Sequence, residues 1–184
     1  MGAAETAEVP ALETQDTGSD DAGDFSVLFT KDVEAGADGL ANESTVYSLS
    51  VSAADTGLTS GGKPITVAVD ASGQVVGSTD DGSVFTIGVD ADGNVQVSQL
   101  AAIDHVGELD DGDATNNSAN TAILSDGNVL LTKTVTVSDG DDDEASDSAT
   151  VDISSAFGFI DDVPTTVVSV SILPVPISDA LVDG

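Results

Sequence analysis

Apolar and polar residues alternate with a period of two along much of this chain. Thr45 to Ser52 sets Tyr47, Leu49 and Val51 on one face and Val46, Ser48, Ser50 and Ser52 on the other, the spacing of a half-buried strand. Strand-like runs also occur at Phe25–Thr30, Pro64–Asp70, Gln74–Thr79, Val84–Val89, Val95–Leu100, Val129–Val137, Ser148–Ile153 and Thr166–Ile172. Three pairs of these runs flank turn-forming residues. Asp70-Ala71-Ser72-Gly73, Asp90-Ala91-Asp92-Gly93-Asn94 and the acidic run Asp139–Glu144 therefore predict three hairpins. Turn signals recur every eight to twelve residues or so, β-branched residues dominate between them, and no segment keeps a helical period. The pattern predicts an all-β fold, an antiparallel β-sandwich.

Composition narrows the function. The 184 residues include 34 Asp and Glu against three basic side chains, Lys31, Lys63 and Lys133, for a formal charge of −31. Such an imbalance gives no electrostatic footprint for DNA, RNA or anionic lipid. It also opposes compaction unless cations neutralise it. A hydrophobic content of 40% still supplies a core, mostly Val, Ile, Leu and Ala, because only five Phe and one Tyr are present. The absence of cysteine removes disulfides, thiolate zinc sites and a cysteine nucleophile. No apolar run approaches the eighteen or so residues of a membrane span. Met1-Gly2-Ala3-Ala4-Glu5 lacks the basic and apolar regions of a signal peptide, so residues 1–8 read as an expression start or linker.

The acids gather in turns, where Ca²⁺ would find hard oxygen ligands on Gly-containing loops. Asp139, Asp141 and Asp143 occupy alternate positions of the densest cluster and can converge on one cation if the loop curls. The loop is not an EF-hand, since the twelfth residue from Asp139 is Thr150 and both flanks are strand-like. The RTX nonapeptide is absent as well. Unneutralised, the clustered carboxylates would raise one another's pKa; the plain alternative is a solvated hairpin tip. Asp161 and Asp162, followed by Val163-Pro164, are either ion ligands at the exit from the module or part of a stiff linker. Glu13 and Asp16 would do the same work where the chain enters. Asp110, Asp111 and Asp113 lie in a weakly patterned stretch, 104–120, read as an exposed loop with or without a second ion. Asp90–Asn94 is better explained as a turn than as a metal loop. His105 has no motif partner for general-base chemistry and is expected to be structural or exposed. No Gly-x-Ser-x-Gly, Ser-x-x-Lys or P-loop is present. The chain is not expected to be an enzyme.

Four stretches together resemble the large tandem repeat of giant type I-secreted RTX adhesins of Gram-negative bacteria. They are FSVLFTKDVEAGADGLANESTVYSLSVSAADTGL (Phe25–Leu58), VFTIGVDADGNVQVSQLAAIDH (Val84–His105), LSDGNVLLTKTVTVSDGDDDEASDSATVDI (Leu124–Ile153) and FIDDVP (Phe159–Pro164). The resemblance spans about Val9–Pro164 and implies a bacterial immunoglobulin-like or cadherin-like sandwich that binds Ca²⁺. Two departures stand out. The family often writes Asp-Gly-Asp-Gly-Asp where this chain has Asp139-Gly140-Asp141-Asp142-Asp143, and its aromatic or basic residue ahead of His105 is missing.

The resemblance implies that residues 9–164 form a calcium-stabilised extender repeat at the bacterial cell surface, serving adhesion and biofilm formation. Residues 165–184 would begin the next repeat or complete this one. The expected partners are adjacent repeats of the same chain, with no nucleic acid and no membrane insertion, and the fragment is expected to be a monomer. Like charges would keep the chain extended in a low-calcium cytosol; millimolar Ca²⁺ outside would stabilise the folded state by linkage. A Ca²⁺-dependent module binding carbohydrate or protein is the alternative, although the few aromatics offer little beyond core material. A halophilic enzyme would spread its acids over the surface around a catalytic constellation, which is not visible here.

Overall fold

The computed structural model describes residues 8–15, 17–33, 39–105, 121–141 and 143–160. Strand makes up 59% of them, and no α-helix occurs among them. In chain order the strands are β1 (Leu12–Thr14), β2 (Asp20–Asp24), β3 (Leu40–Ser50), β4 (Asp55–Ser60), β5 (Lys63–Val69) and β6 (Val75–Thr79). They continue with β7 (Gly82–Val89), β8 (Asn94–Gln99), β9 (Thr121–Ile123), β10 (Leu130–Asp139), β11 (Glu144–Asp152) and β12 (Phe157–Ile160).

Three sheets result, ordered β2-β8-β7-β6-β5-β4, β11-β10-β3 and β1-β12-β9. The first two are antiparallel throughout. The third mixes an antiparallel pair, β12–β9, with a parallel one, β1–β12, so a purely antiparallel architecture is not what forms. The three predicted hairpins are β5–β6, β7–β8 and β10–β11. The third is longer than predicted, because β11 begins at Glu144 and not at Ser148.

Alternation sends Ile65, Val67, Val75, Phe85, Ile87, Val95 and Val97 to the inner face of the six-stranded sheet, where all are buried. The smaller sheets and the chain before β3 cover them. Phe159 packs on Phe85 at 5.0 Å between ring centroids, and Phe157 stacks on Phe25 at 6.5 Å. Gly77 makes room for the Phe85 ring, which would stand 2.3 Å from a Cβ at that position. Leu49 and Leu131 bring the β3–β10–β11 sheet into the same core.

Phe25–Thr30, predicted as a strand, is not one. Phe25 is fully buried, the amide of Ser26 donates to Asp24 Oδ1 at 2.9 Å, and Ser26–Leu28 form a 3-10 turn. The anchored ring and the local Asp24–Ser26 bond turn the chain before a ladder can form. The predicted run Thr166–Ile172 lies outside the described residues.

The molecule has two distinct ends. The turns at Asp70–Gln74 and Asp90–Asn94 share one, with Gln74 packed beside Gly88. Tyr47 sits against Gly93 there. Beyond that level β3, β10 and β11 run outward to the Asp139–Glu144 tip, β3 and β11 mostly exposed and β10 half-buried between them. At the opposite end Asp104 binds the Gly61-Gly62 turn. Here β12 finishes, with His105 Nε2 2.8 Å from the carbonyl oxygen of Phe159.

Candidate metal site

The tip of the β10–β11 hairpin is built on an aspartate that binds its own loop. Asp139 Oδ1 accepts from the amides of Asp141 (3.3 Å) and Asp143 (3.1 Å), while its own amide donates to the carbonyl of Asp143 (3.1 Å). The same three bonds form at Asp70 with Ser72 and Gln74, and at Asp90 with Asp92 and Asn94. A short side chain accepting from amides two and four residues on is a turn device, independent of any ion. What sets the third loop apart is the identity of those two residues. Where the other loops carry Ser72 and Gln74, or Asp92 and Asn94, this one carries Asp141 and Asp143.

Each of the three aspartates offers a carboxylate oxygen, and these oxygens lie within 4.8 Å of one another. Ligands facing each other across a calcium ion at 2.3–2.6 Å are about 5 Å apart, so the three fit one coordination shell. Calcium takes six to eight oxygens, which leaves about half the shell to water or to another surface. The carboxyl of Asp139 is not raised by its acidic neighbours, as clustering alone predicts, but held below its ordinary value, first by its hydrogen bond with Asp141, against some burial, and then by the loop amides. It is therefore a charged ligand at neutral pH. Asp141 and Asp143 are exposed, which gives an ion open access.

Among the described residues this is the one grouping of three or more acidic or histidine ligands close enough to share an ion. Glu13 stands on β1, where its amide donates to Asp21 Oδ2 at 2.9 Å, and does not join it. Asp16, Asp110, Asp111, Asp113, Asp161 and Asp162 lie outside the described residues. Asp90–Asn94 forms the expected turn, with Gly93 at φ 88°.

Two aspartates that the spacing did not single out matter to the fold. Asp104 accepts from the amides of Gly61 and Gly62 and from the Thr59 hydroxyl, and these bonds lower its pKa against a small burial effect. Burial alone would raise Asp152; bonds from the Ser154 hydroxyl and amide and the Gly127 amide outweigh it, and its pKa is lowered. Asp152-Ile153-Ser154 carried a signal, an aspartate two residues before a serine. Asp104 carried none, because its partners lie some forty residues away.

No curated protein and no solved structure shows significant similarity to this chain. The family model of DUF5801, a domain of unknown function, matches residues 9–154. That match covers most of the chain, which thus belongs to the DUF5801 family.

Proposed function

We propose that this domain is a calcium-stabilised structural module, an extender repeat of a secreted bacterial adhesin that projects terminal binding domains from the cell surface. In this reading the sheets are an immunoglobulin-like or cadherin-like sandwich. The observation that carries it is the Asp139–Asp141–Asp143 triad, with oxygens within 4.8 Å at the outer tip of the longest hairpin. The triad would supply three negative ligands to one Ca²⁺ and leave the remaining shell outward. Neutralisation there relieves like-charge repulsion in a chain of net charge −31. An ion bound only by the folded chain stabilises it in proportion to the logarithm of its concentration.

Thermal unfolding in EDTA, Mg²⁺ and Ca²⁺ at matched ionic strength tests this. A hundredfold excess over the dissociation constant is worth about 2.7 kcal/mol, and for a chain of this size 1 kcal/mol moves the midpoint by about 2–4 °C. A rise of roughly 5–10 °C in Ca²⁺ alone is expected. Equal midpoints in all three would reduce the triad to a solvated turn. The open half of the shell also favours a second reading, a ligand-binding module that holds a hydroxyl or carboxylate of its ligand on the ion. Calcium-dependent retention on a glycan array would promote that reading over the first.

A further inference from the structure

We propose that the free edge of β11 is a docking site for a strand donated by a second copy of this domain, the occupant being its Thr166–Ile172 segment. The idea rests on the head-to-tail repeat reading above and supplies the contact between repeats. Among the described residues β11 pairs with β10 on one side and with nothing on the other. Its nine residues are almost all exposed, and no proline or lysine blunts the edge. A groove of about 300 Å³ runs alongside, lined by the consecutive residues Phe29–Val33, by Lys133, Val135 and Val137 of β10 and by the consecutive residues Ala145–Ala149. Because consecutive β11 residues line it, the groove meets the backbone edge itself, where an added strand would find its hydrogen bonds.

The two faces of the sheet define what fits. Ala145, Asp147 and Ala149 share a face with Val137, Val135 and Lys133, to which they are respectively paired, and Ala145 leaves space beside Val137. On the opposite face, Ser146, Ser148 and Thr150 align with Thr136, Thr134 and Thr132 and, beyond these, with Ser44, Val46 and Ser48. An added strand should therefore alternate branched apolar residues with hydroxyls. Val168-Ser169-Val170-Ser171-Ile172 does so. Charge agrees with pattern. Lys31 and Lys133 in the groove are already engaged, by Glu43 and by the Phe29 and Tyr47 rings, and Glu144, Asp147 and Asp152 on β11 would repel an acidic strand. From Val163 to Ser178 there is no ionisable side chain, the longest such stretch in the chain.

Topology favours another copy as donor. The chain leaves β12 at the end marked by His105, whereas the groove lies beyond the Tyr47–Gly93 contact at the other. The six steps from Ile160 to Thr166 span at most about 22 Å, and in the same copy they would first have to retrace β12. In copies stacked end to end, the exit of one faces the groove of the next.

Amide hydrogen exchange on the full chain in Ca²⁺, dilute and then with a synthetic Thr165–Leu173 peptide, tests the proposal. Alternate amides within Ala145–Ala149 should exchange rapidly in the dilute chain and slow at least tenfold at saturating peptide. A Val170→Asp peptide should leave them fast. Fast exchange at every peptide concentration would overturn the proposal. So would slow exchange in the dilute chain without peptide; release by Val170→Asp within the chain would then show that its own segment covers the edge. A missing calcium effect on the unfolding midpoint would remove the calcium reading without touching this result.

Discussion

Asn128 is fully buried and joins two connections distant in sequence. Its Oδ1 accepts from the Ser125 amide at 2.8 Å, and its Nδ2 donates to the carbonyls of Ala53 (2.8 Å) and Asp55 (3.0 Å). Asn128→Ala removes three hydrogen bonds made by a buried side chain, with an expected loss of about 2–4 kcal/mol in urea unfolding. A loss below about 0.5 kcal/mol would contradict this account of the site. Asp152 gives a pH-dependent counterpart. Its pKa is lowered from 3.8 in the folded chain, so its stabilisation is complete above the unfolded value and fades as the pH falls through the folded one. Asp152→Asn should unfold more easily than wild type at pH 7, and the gap should narrow below about pH 4. A gap independent of pH would show that the charge contributes nothing. At this scale the sequence was legible where partners are local. Asp139, Asp141 and Asp143 sit on one loop and could be found by spacing; Asp104 and Asn128 bind segments more than forty residues away.

The three hairpins were readable because each joins two alternating runs through an aspartate-led turn. Other elements were hidden by their own composition. β2 reads Asp-Asp-Ala-Gly-Asp and has no apolar alternation, yet it pairs with β8 from Asp20↔Ser98 to Asp24↔Asn94. As an edge strand it needs one hydrogen-bonded side and little core contact. β1, β9 and β12 are three or four residues long, too short for a period to register. The turns make a prediction of their own. Gly73 and Gly93 hold equivalent places at φ 86° and 88°, but a Cβ at Gly73 meets open space, whereas one at Gly93 would come 2.9 Å from the Tyr47 ring and 3.0 Å from Ser26. Gly73→Ala should cost about 1 kcal/mol, the left-handed backbone alone, and Gly93→Ala clearly more. Equal losses on urea unfolding would mean that the Tyr47 contact yields without strain.

Over the whole molecule charge and core act against each other. One core of Val, Ile, Leu and four fully buried Phe rings gathers the three sheets, while the net charge of −31 works against compaction. Two of the three lysines, Lys31 and Lys63, are already bonded to Glu43 and Asp81. The third, Lys133, lies over the rings of Phe29 and Tyr47. Added cations are therefore the available counterweight. Overall all-β character followed from alternation; the mixed β1–β12–β9 sheet did not, because parallel pairing joins segments from opposite ends of the described chain. The most direct measurement is the calcium dependence of the unfolding midpoint for wild type beside Asp141→Asn. Wild type should gain roughly 5–10 °C on going from EDTA to Ca²⁺. Asp141→Asn should start at an equal or higher midpoint in EDTA, having lost a like charge, and should forfeit most of that gain. An identical rise in both proteins, or none in wild type, would contradict the calcium-bound tip.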